Sequence, residues 1–433
     1  MVAIEPRVCL SFELIFSIGT ESCLPSSTCC FGIDYVLFNF GMRVMKNFKS
    51  LVVVSATCLS LISPVSHANP IVVPNPPQLS AKGYVLMDYH TGKVIVEHNA
   101  HQKLNPASLT KLMTSYVAGQ EMKRGNITPQ DQVVVSERAW ARNFPDSSKM
   151  FIEVGTKVSM MDLYRGLIVQ SGNDASVAIA EHVAGSESAF VDLMNSWAVS
   201  LGLTNTAFTN PHGLDSSGLY STPYDIAQLA RAIIHDLPEI YPLYSETSFT
   251  YNGITQYNRN GLLRDRSMNV DGMKTGFTSG AGFSLTTSAT SGDMRLISVV
   301  MGSNSARSRE ADSKQLLSYG FRFFETISPH QGGEAIEQAR VWMGKQDQLP
   351  VGVAETTYLT LIKGELPKLT GLIELSKELQ APIAKGEIVG KVIYQVDDRV
   401  VGEAELIALE NVEQGSWFKR TLDRIKRLFA SWF

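Results

Sequence analysis

The chain has 433 residues, 44% of them hydrophobic and 18% charged, with a formal net charge of −4. That length points to two or three domains, and the hydrophobic fraction excludes collagen-like and disordered chains. The mild acidity gives no support to nucleic-acid binding, which goes with a basic domain.

Residues 46–68 have the three parts of an export signal. Lys46 and Lys49 give the positive start, Leu51 to Ile62 is uncharged, and Ser66-His67-Ala68 is a small-x-small cleavage site before Asn69. The uncharged run is shorter than the roughly 20 apolar residues a bilayer span needs. A signal belongs at the start of a chain, so residues 1–44 are expected to be an over-extended gene start, with Met42 or Met45 the true one. The five cysteines, Cys9, Cys23, Cys29, Cys30 and Cys58, all lie before the cleavage site. Cleavage therefore leaves a cysteine-free protein, without a disulfide framework, a thiol nucleophile or a Cys-ligated zinc site.

Residues 69–79 are proline-rich and read as extended. Tyr84 to Asp88, a turn over 89–93, and Val94 to Glu97 read as strand, turn and strand. Residues 108–124 predict a helix with Leu109, Leu112, Met113, Tyr116 and Val117 on one face and Gly125 as its stop. Residues 159–235 are mostly helical, broken by a polar turn at 170–174 and a Gly/Asn/Pro/Ser-rich loop at 202–223. Strands follow at 270–275, 282–289 and 295–301, the last two joined by Ser291-Gly292-Asp293. Strands on both sides of a helical region predict a sheet closed by sequence-distant strands. A helix near 307–325 precedes short strands at 357–362, 387–394 and 400–409, which read as a small all-β domain.

The last nineteen residues differ from the rest. Trp417, Phe418, Leu422, Ile425, Leu428, Phe429, Trp432 and Phe433 recur at helical spacing. Lys419, Arg420, Arg424, Lys426 and Arg427, with Asp423 the one acid, give +4. The first 68 residues net zero, so the overall −4 leaves −8 for residues 69–414. An aromatic apolar face beside a basic face suits a helix lying in an anionic membrane surface. The competing reading is a terminal helix docked on the protein's own core.

Three motifs carry chemistry. Ser108-Leu-Thr-Lys111 opens the first predicted helix, where residues three apart share a face. Burial lowers an amine's pKa and turns it into a base for a neighbouring hydroxyl, and the helix N-terminus favours negative charge. Ser-x-x-Lys is expected about twice by chance in such a chain, and it recurs at Ser416 to Lys419. Ser171-Gly-Asn173 lies in the polar turn, with an echo at Ser267-Met-Asn269. Lys274-Thr-Gly276 lies on a strand and has no echo. Each motif alone reads equally as a cap, a turn or a strand end. The three in this order are far less expected by chance.

With these motifs the chain resembles the low-molecular-mass penicillin-binding proteins that are serine-type D-alanyl-D-alanine carboxypeptidases. The stretches PASLTKLMTSYV, SGNDASVAIAEHVAG, NRNGLL, VDGMKTGFTSGAGFSL and MRLISVV carry the likeness over residues 80–433. The resemblance implies an α+β catalytic domain over 80–326, with a β-lactamase/transpeptidase-like antiparallel sheet and helices. A β-rich domain over 335–410 and an amphipathic membrane-anchor helix over 415–433 follow it. It further implies Ser108 as acylated nucleophile, Lys111 as general base, and Ser171 and Asn173 as proton relay and substrate holder. Lys274, Thr275 and Gly276 would bind the substrate on its terminal carboxylate side. The backbone N–H groups of Ser108 and Phe277 would form the oxyanion hole. Arg259 and Arg309 align with family arginines near that carboxylate, or form structural ion pairs beside the site. Phe277 departs from relatives with a polar residue there.

The partners implied are a peptidoglycan stem peptide ending in D-Ala-D-Ala, β-lactams and an anionic membrane surface, with no nucleic acid. The expected location is the periplasmic side of the cytoplasmic membrane. No metal or organic cofactor is expected, and no His-Glu-x-x-His occurs. The alternatives are a β-lactamase, a transpeptidase, or a non-catalytic penicillin sensor or structural paralogue. The Glu-x-x-Leu-Asn expected of the first is missing between Asn173 and Lys274.

Overall fold

The structure, a computed structural model, describes residues 72–430. The expected export signal and the stretch before it lie outside the described residues.

Strands β1 (Gly83–Asp88) and β2 (Val94–His98) form the first hairpin, and α1 (Thr110–Lys123) follows. A ribbon of β3 (Gln132–Val134) and β4 (Lys157–Ser159) leads into α2 (Met160–Ile168), α3 (Asn173–Ala184), α4 (Glu187–Ser200) and α5 (Pro223–Asp236). The starts of α2, α4 and α5 are written in the sequence. Ser159, Ser186 and Thr222 accept N–H bonds from Asp162, Ala189 and Asp225, and Pro223 opens α5. The hairpin β5 (Ser248–Tyr251) and β6 (Ile254–Tyr257) comes next. The long strands β7 (Asn269–Thr278), β8 (Gly282–Ser291) and β9 (Met294–Ser303) precede α6 (Ala306–Phe323).

The main sheet has the order β2-β1-β9-β8-β7, antiparallel throughout. The first hairpin thus closes against strands some two hundred positions later, as the pattern predicted. β1 is buried along its whole length because apolar layers cover both faces. Val85 and Met87 join the helical layer, while Tyr84 and Leu86 pack with Leu316 and Leu317 of α6. Two-sided burial gives a continuous apolar strand rather than an alternating one. Helix α1 runs through the middle of the helical layer and is buried from Thr110 to Gln120. The expectation of one apolar face is therefore too narrow. Its other sides hold Thr114, Ser115 and Gly119, which are small enough to pack. The hydroxyls are satisfied internally, Thr114 donating to the Pro211 carbonyl at 2.5 Å and Ser115 accepting from Tyr244 at 2.7 Å.

The β-rich region starts at Phe324, earlier than the expected 335. Phe323 and Phe324 pass from α6 to β10 (Phe324–His330) with no glycine or proline to mark the change. The remaining strands are β11 (Ala335–Trp342), β12 (Gln348–Val353), β13 (Thr357–Ile362), β14 (Leu369–Leu375), β15 (Leu379–Gln380), β16 (Ile388–Val396) and β17 (Arg399–Ala408). They form a pair, β10-β13, and a sheet of order β14-β16-β17-β12-β11-β15. Leu349, Val351, Leu361, Tyr394 and Leu406 fill the space between them. The buried Asp88 carboxylate ties this region to the first hairpin by accepting from the hydroxyls of Thr326 and Thr360.

The final helix, α7 (Trp417–Ala430), departs from the reading that docks an apolar face on the protein's own core. It is docked, but through its polar side. Asp423 is buried and accepts from the Met343 N–H at 2.9 Å. Lys419 pairs with Asp347 at 3.0 Å and Arg427 with Glu378 at 2.6 Å. The apolar side faces outward, with Trp417 and Phe418 each 72% exposed. No helix among the described residues is long and apolar enough to cross a membrane.

Candidate active site

Ser108 sits in a single 3-10 turn, Ala107–Leu109, that runs straight into α1. The N–H groups at this junction are paired within the run, that of Leu109 with the Pro106 carbonyl and that of Thr110 with the Ala107 carbonyl, so Ser108 lies in the first turn of a continuous helical stretch. The turn is held from outside by Gly213, whose φ is +82°. A Cβ there would lie 1.9 Å from the Ala107 carbonyl oxygen, so only glycine fits.

One turn on, the Lys111 amine is almost fully buried. It lies 3.2 Å from Ser108 Oγ, 2.7 Å from Asn173 Oδ1 and 2.5 Å from the His212 carbonyl oxygen. Burial, helped by the Arg259 cation and opposed by Asp174, pulls its pKa down to about 7. An amine with that pKa, in reach of a hydroxyl, can take the proton as the hydroxyl attacks.

Asn173 opens α3, and its side-chain amide bridges two walls. The oxygen accepts from Lys111, and Nδ2 donates to Ser147 Oγ at 2.8 Å. Ser171, two positions earlier, has φ +63°. Its buried hydroxyl has no partner in the structure. A buried hydroxyl without a protein partner costs free energy, and this one lines the cleft.

Lys274, Thr275 and Gly276 lie on β7, which pairs with β8 and forms the edge of the sheet. An edge strand is where an extended chain can add by main-chain hydrogen bonds. Gly276 passes close to the turn before Ser108, since a Cβ there would come within 3.0 Å of the Pro106 carbonyl oxygen. Lys274 Nζ donates to the Thr275 carbonyl at 3.1 Å. Its pKa is held well below the usual lysine range by burial, then by the charges of Lys111, Arg259 and Arg309. Arg309 donates to the carbonyls of Gly276 and Arg259, both at 3.4 Å. These arginines border the cleft, and the bonds drawn by Arg309 go to carbonyls rather than to a carboxylate. Arg259 and Arg309 thus line the cleft beside two buried lysines, and the two guanidinium charges favour an incoming carboxylate. The ring of Phe277 is half exposed and stacked on Phe283 at 4.3 Å.

The cleft has a volume of about 830 Å³, and Ser108, Ser171, Asn173, Thr275 and Arg309 line it. All three sequence motifs therefore meet in one place. Three participants were not found in the sequence. Ser147 was missed as the partner of Asn173. The His212 main-chain carbonyl leaves no side-chain signature. Asp174 was passed over although it follows Ser171-Gly-Asn173 directly. Its carboxylate accepts from the N–H groups of Met150, Phe151 and Ile152, which fastens the loop carrying Ser147 beside Asn173. Among the described residues no group of three or more His, Cys, Asp or Glu side chains is placed to hold a metal ion.

Comparison with known proteins gives consistent results. A family model described as D-alanyl-D-alanine carboxypeptidase matches residues 71–305. One described as penicillin-binding protein 5, C-terminal domain, matches residues 324–414. D-alanyl-D-alanine carboxypeptidase DacA of Escherichia coli K12 is 45% identical over 402 residues, covering 91% of this chain and 99% of the relative. DacC of the same organism is 46% identical over 379 residues, covering 87% and 94%. The crystal structure of penicillin binding protein 5 from Haemophilus influenzae is 49% identical, with a TM-score of 0.76. It matches 79% of this chain and 100% of that one.

Proposed function

The chain belongs to the D-alanyl-D-alanine carboxypeptidase family, and from that premise we propose how its residues divide the work. The protein is a serine-type D-Ala-D-Ala carboxypeptidase of the penicillin-binding protein fold. Ser108 Oγ attacks the carbonyl carbon between the last two D-alanines of a peptidoglycan stem peptide while Lys111 takes its proton. The charge that develops on the carbonyl oxygen is met by the backbone N–H groups of Ser108 and Phe277. The tetrahedral species breaks its C–N bond, and the departing D-alanine nitrogen receives a proton through Ser171, whose hydroxyl is otherwise unpartnered. Water then adds to the Ser108 ester by the same proton route and frees the shortened peptide. Lys274, Thr275 and Arg309, with Arg259 behind them, hold the terminal carboxylate. Asn173 fixes Lys111 and the substrate backbone. A β-lactam follows the first half of this route and leaves slowly.

One observation carries the reading: the buried Lys111 amine, near neutral in pKa, lies 3.2 Å from Ser108 Oγ. The protein from residue 69 onward, incubated with a fluorescent penicillin, should gain one label, on the peptide containing Ser108. It should separately release D-alanine from a D-Ala-D-Ala pentapeptide. A label elsewhere, or rapid penicillin turnover without D-alanine release, would overturn the assignment.

The same reading divides the chain into a catalytic domain from residue 80 to the end of α6, a β-rich domain that begins with β10 at Phe324, and an anchor over 415–433. It places the enzyme outside the cytoplasmic membrane, exported by residues 46–68. Helix α7 supports peripheral attachment because its exposed side is apolar while Asp423 and Lys419 hold its polar side to the β-rich domain. Such a helix binds a surface by burying its apolar stripe at the acyl boundary, and anionic lipid adds attraction to the exposed Arg424 and Lys426. The chain from residue 69 should sediment with anionic liposomes and the same chain ending at 414 should not. Equal sedimentation of the two would rule out the anchor.

A further inference from the structure

A second cleft, of about 550 Å³, lies where the β-rich domain meets the catalytic region. Its walls are the turn after β1, the last two turns of α5, and the segment 355–358 that enters β13. It shares no lining residue with the cleft around Ser108. We propose that this cleft is a saccharide site that holds the glycan strand to which the stem peptides are attached.

The first support is an aromatic platform. The rings of His90 and Tyr358 stack at 4.2 Å with 25° between their planes, and Tyr89 meets His90 edge-on at 4.9 Å. Tyr358 remains 37% exposed, although it lies in a junction between domains. A flat ring facing a cleft suits the C–H face of a pyranose. Burial lowers the His90 pKa below its usual value, so the platform is neutral at neutral pH.

The second support is the placement of planar polar groups. Arg231 is pinned by its Nε and Nη2 donors to the carbonyls of Tyr89 and His90, at 2.6 and 3.1 Å. Its guanidinium therefore costs little ordering when a ligand arrives. The Gln228 amide and the Glu355 carboxylate line the same cleft, as does the Asp236 carboxylate, which already accepts from the Tyr116 hydroxyl and pairs with His235. With Asp236 tied to His235 and Tyr116, the Arg231 guanidinium is set against the Glu355 carboxylate, a balance that favours neither a phosphate nor a simple cation. Planar donors and acceptors around an aromatic floor match a neutral ring bearing hydroxyl and acetamido groups. The volume falls in the range of built ligand sites, roughly 300–1,000 Å³.

The choice of glycan rests on the reading that peptidoglycan is the substrate. Engagement of the glycan here would bring stem peptides to the enzyme at high local concentration without any contact at Ser108.

The test is calorimetric titration of the chain from residue 69 with a β-1,4-linked N-acetylglucosamine tetrasaccharide. Two variants, Tyr358→Ala and Gln228→Ala, accompany it, since both residues are partly exposed and outside the catalytic cleft. The parent should bind, and Tyr358→Ala should weaken binding by about tenfold or more, the scale of one lost aromatic contact. Gln228→Ala should weaken it as well. Penicillin acylation should be unchanged in both. D-alanine release should fall on glycan-linked substrate but not on the free pentapeptide. No binding by the parent, equal binding by parent and both variants, or binding abolished by prior acylation of the parent with penicillin would each overturn the proposal. Failure of the parent to be acylated would instead overturn the catalytic reading, and the saccharide titration would still decide this one.

Discussion

Ser108→Ala should carry no penicillin label and should release D-alanine at least about 10⁴-fold more slowly than the parent, the scale seen when a serine hydrolase loses its nucleophile. Another hydroxyl does reach the cleft. Ser171 is buried and unpartnered there, but Lys111 does not bond to it. Without the amine in contact, its hydroxyl stays protonated and weakly nucleophilic. Folding should be nearly untouched, because the change removes one partly buried oxygen from a turn whose backbone is set by Gly213 and Pro106. A melting curve coincident with the parent's, beside absent labelling, is the expected pair of results. A labelled Ser108→Ala protein would mean that the nucleophile lies elsewhere.

The catalytic region was legible because its chemistry is spelled in side chains with local order. Ser108 and Lys111 are neighbours on a helix whatever the rest of the fold does. Lys274 to Gly276 sits in a strand whose pattern survives burial. The sheet order was legible in outline, since apolar strands at 84–88 and 270–301 had no other place to pair. What stayed hidden depends on tertiary placement. Asp174 works by facing three consecutive N–H groups more than twenty positions earlier, and the pattern of residues 148–152 does not announce that encounter. His212 contributes through its carbonyl, which every residue possesses. The amphipathic tail was visible, but not the side it turns to the protein. Hydrophobicity alone would have turned it the other way, and the choice is made by Asp423 finding the Met343 N–H and by Lys419 finding Asp347.

The site's electrostatics explain why its cations are crowded. Burial is the first cause that lowers the proton affinity of Lys111, Lys274, Arg259 and Arg309, and neighbouring charge adds to it at three of them: Arg259 acts on Lys111 and on Arg309, and Lys111, Arg259 and Arg309 act on Lys274. A substrate carboxylate in the cleft would meet the guanidinium groups of Arg259 and Arg309, which both line it. On the proposed mechanism recognition and base activation meet at Arg259, whose charge adds to burial in lowering the Lys111 pKa and also favours a carboxylate in the cleft.

That coupling gives the second large expectation. Lys111→Met should slow acylation by penicillin roughly 10²–10⁴-fold, the range associated with losing a general base, while label still accumulates on Ser108 at long times. The pH profile separates this from a structural defect. In the parent, the neutral amine is the active form. Acylation per unit of free enzyme should therefore fall about tenfold per pH unit below about 7 and level off above it. The bound carboxylate adds negative charge beside Lys111 and raises its pKa. The corresponding limb of kcat should then lie at higher pH than that of kcat/KM. Lys111→Met should lose the limb altogether and show a flat, slow profile across neutral pH. A variant that stays slow but keeps the limb would assign the base to another group. The Lys111 amine would then be a positioning residue that holds Asn173 in place.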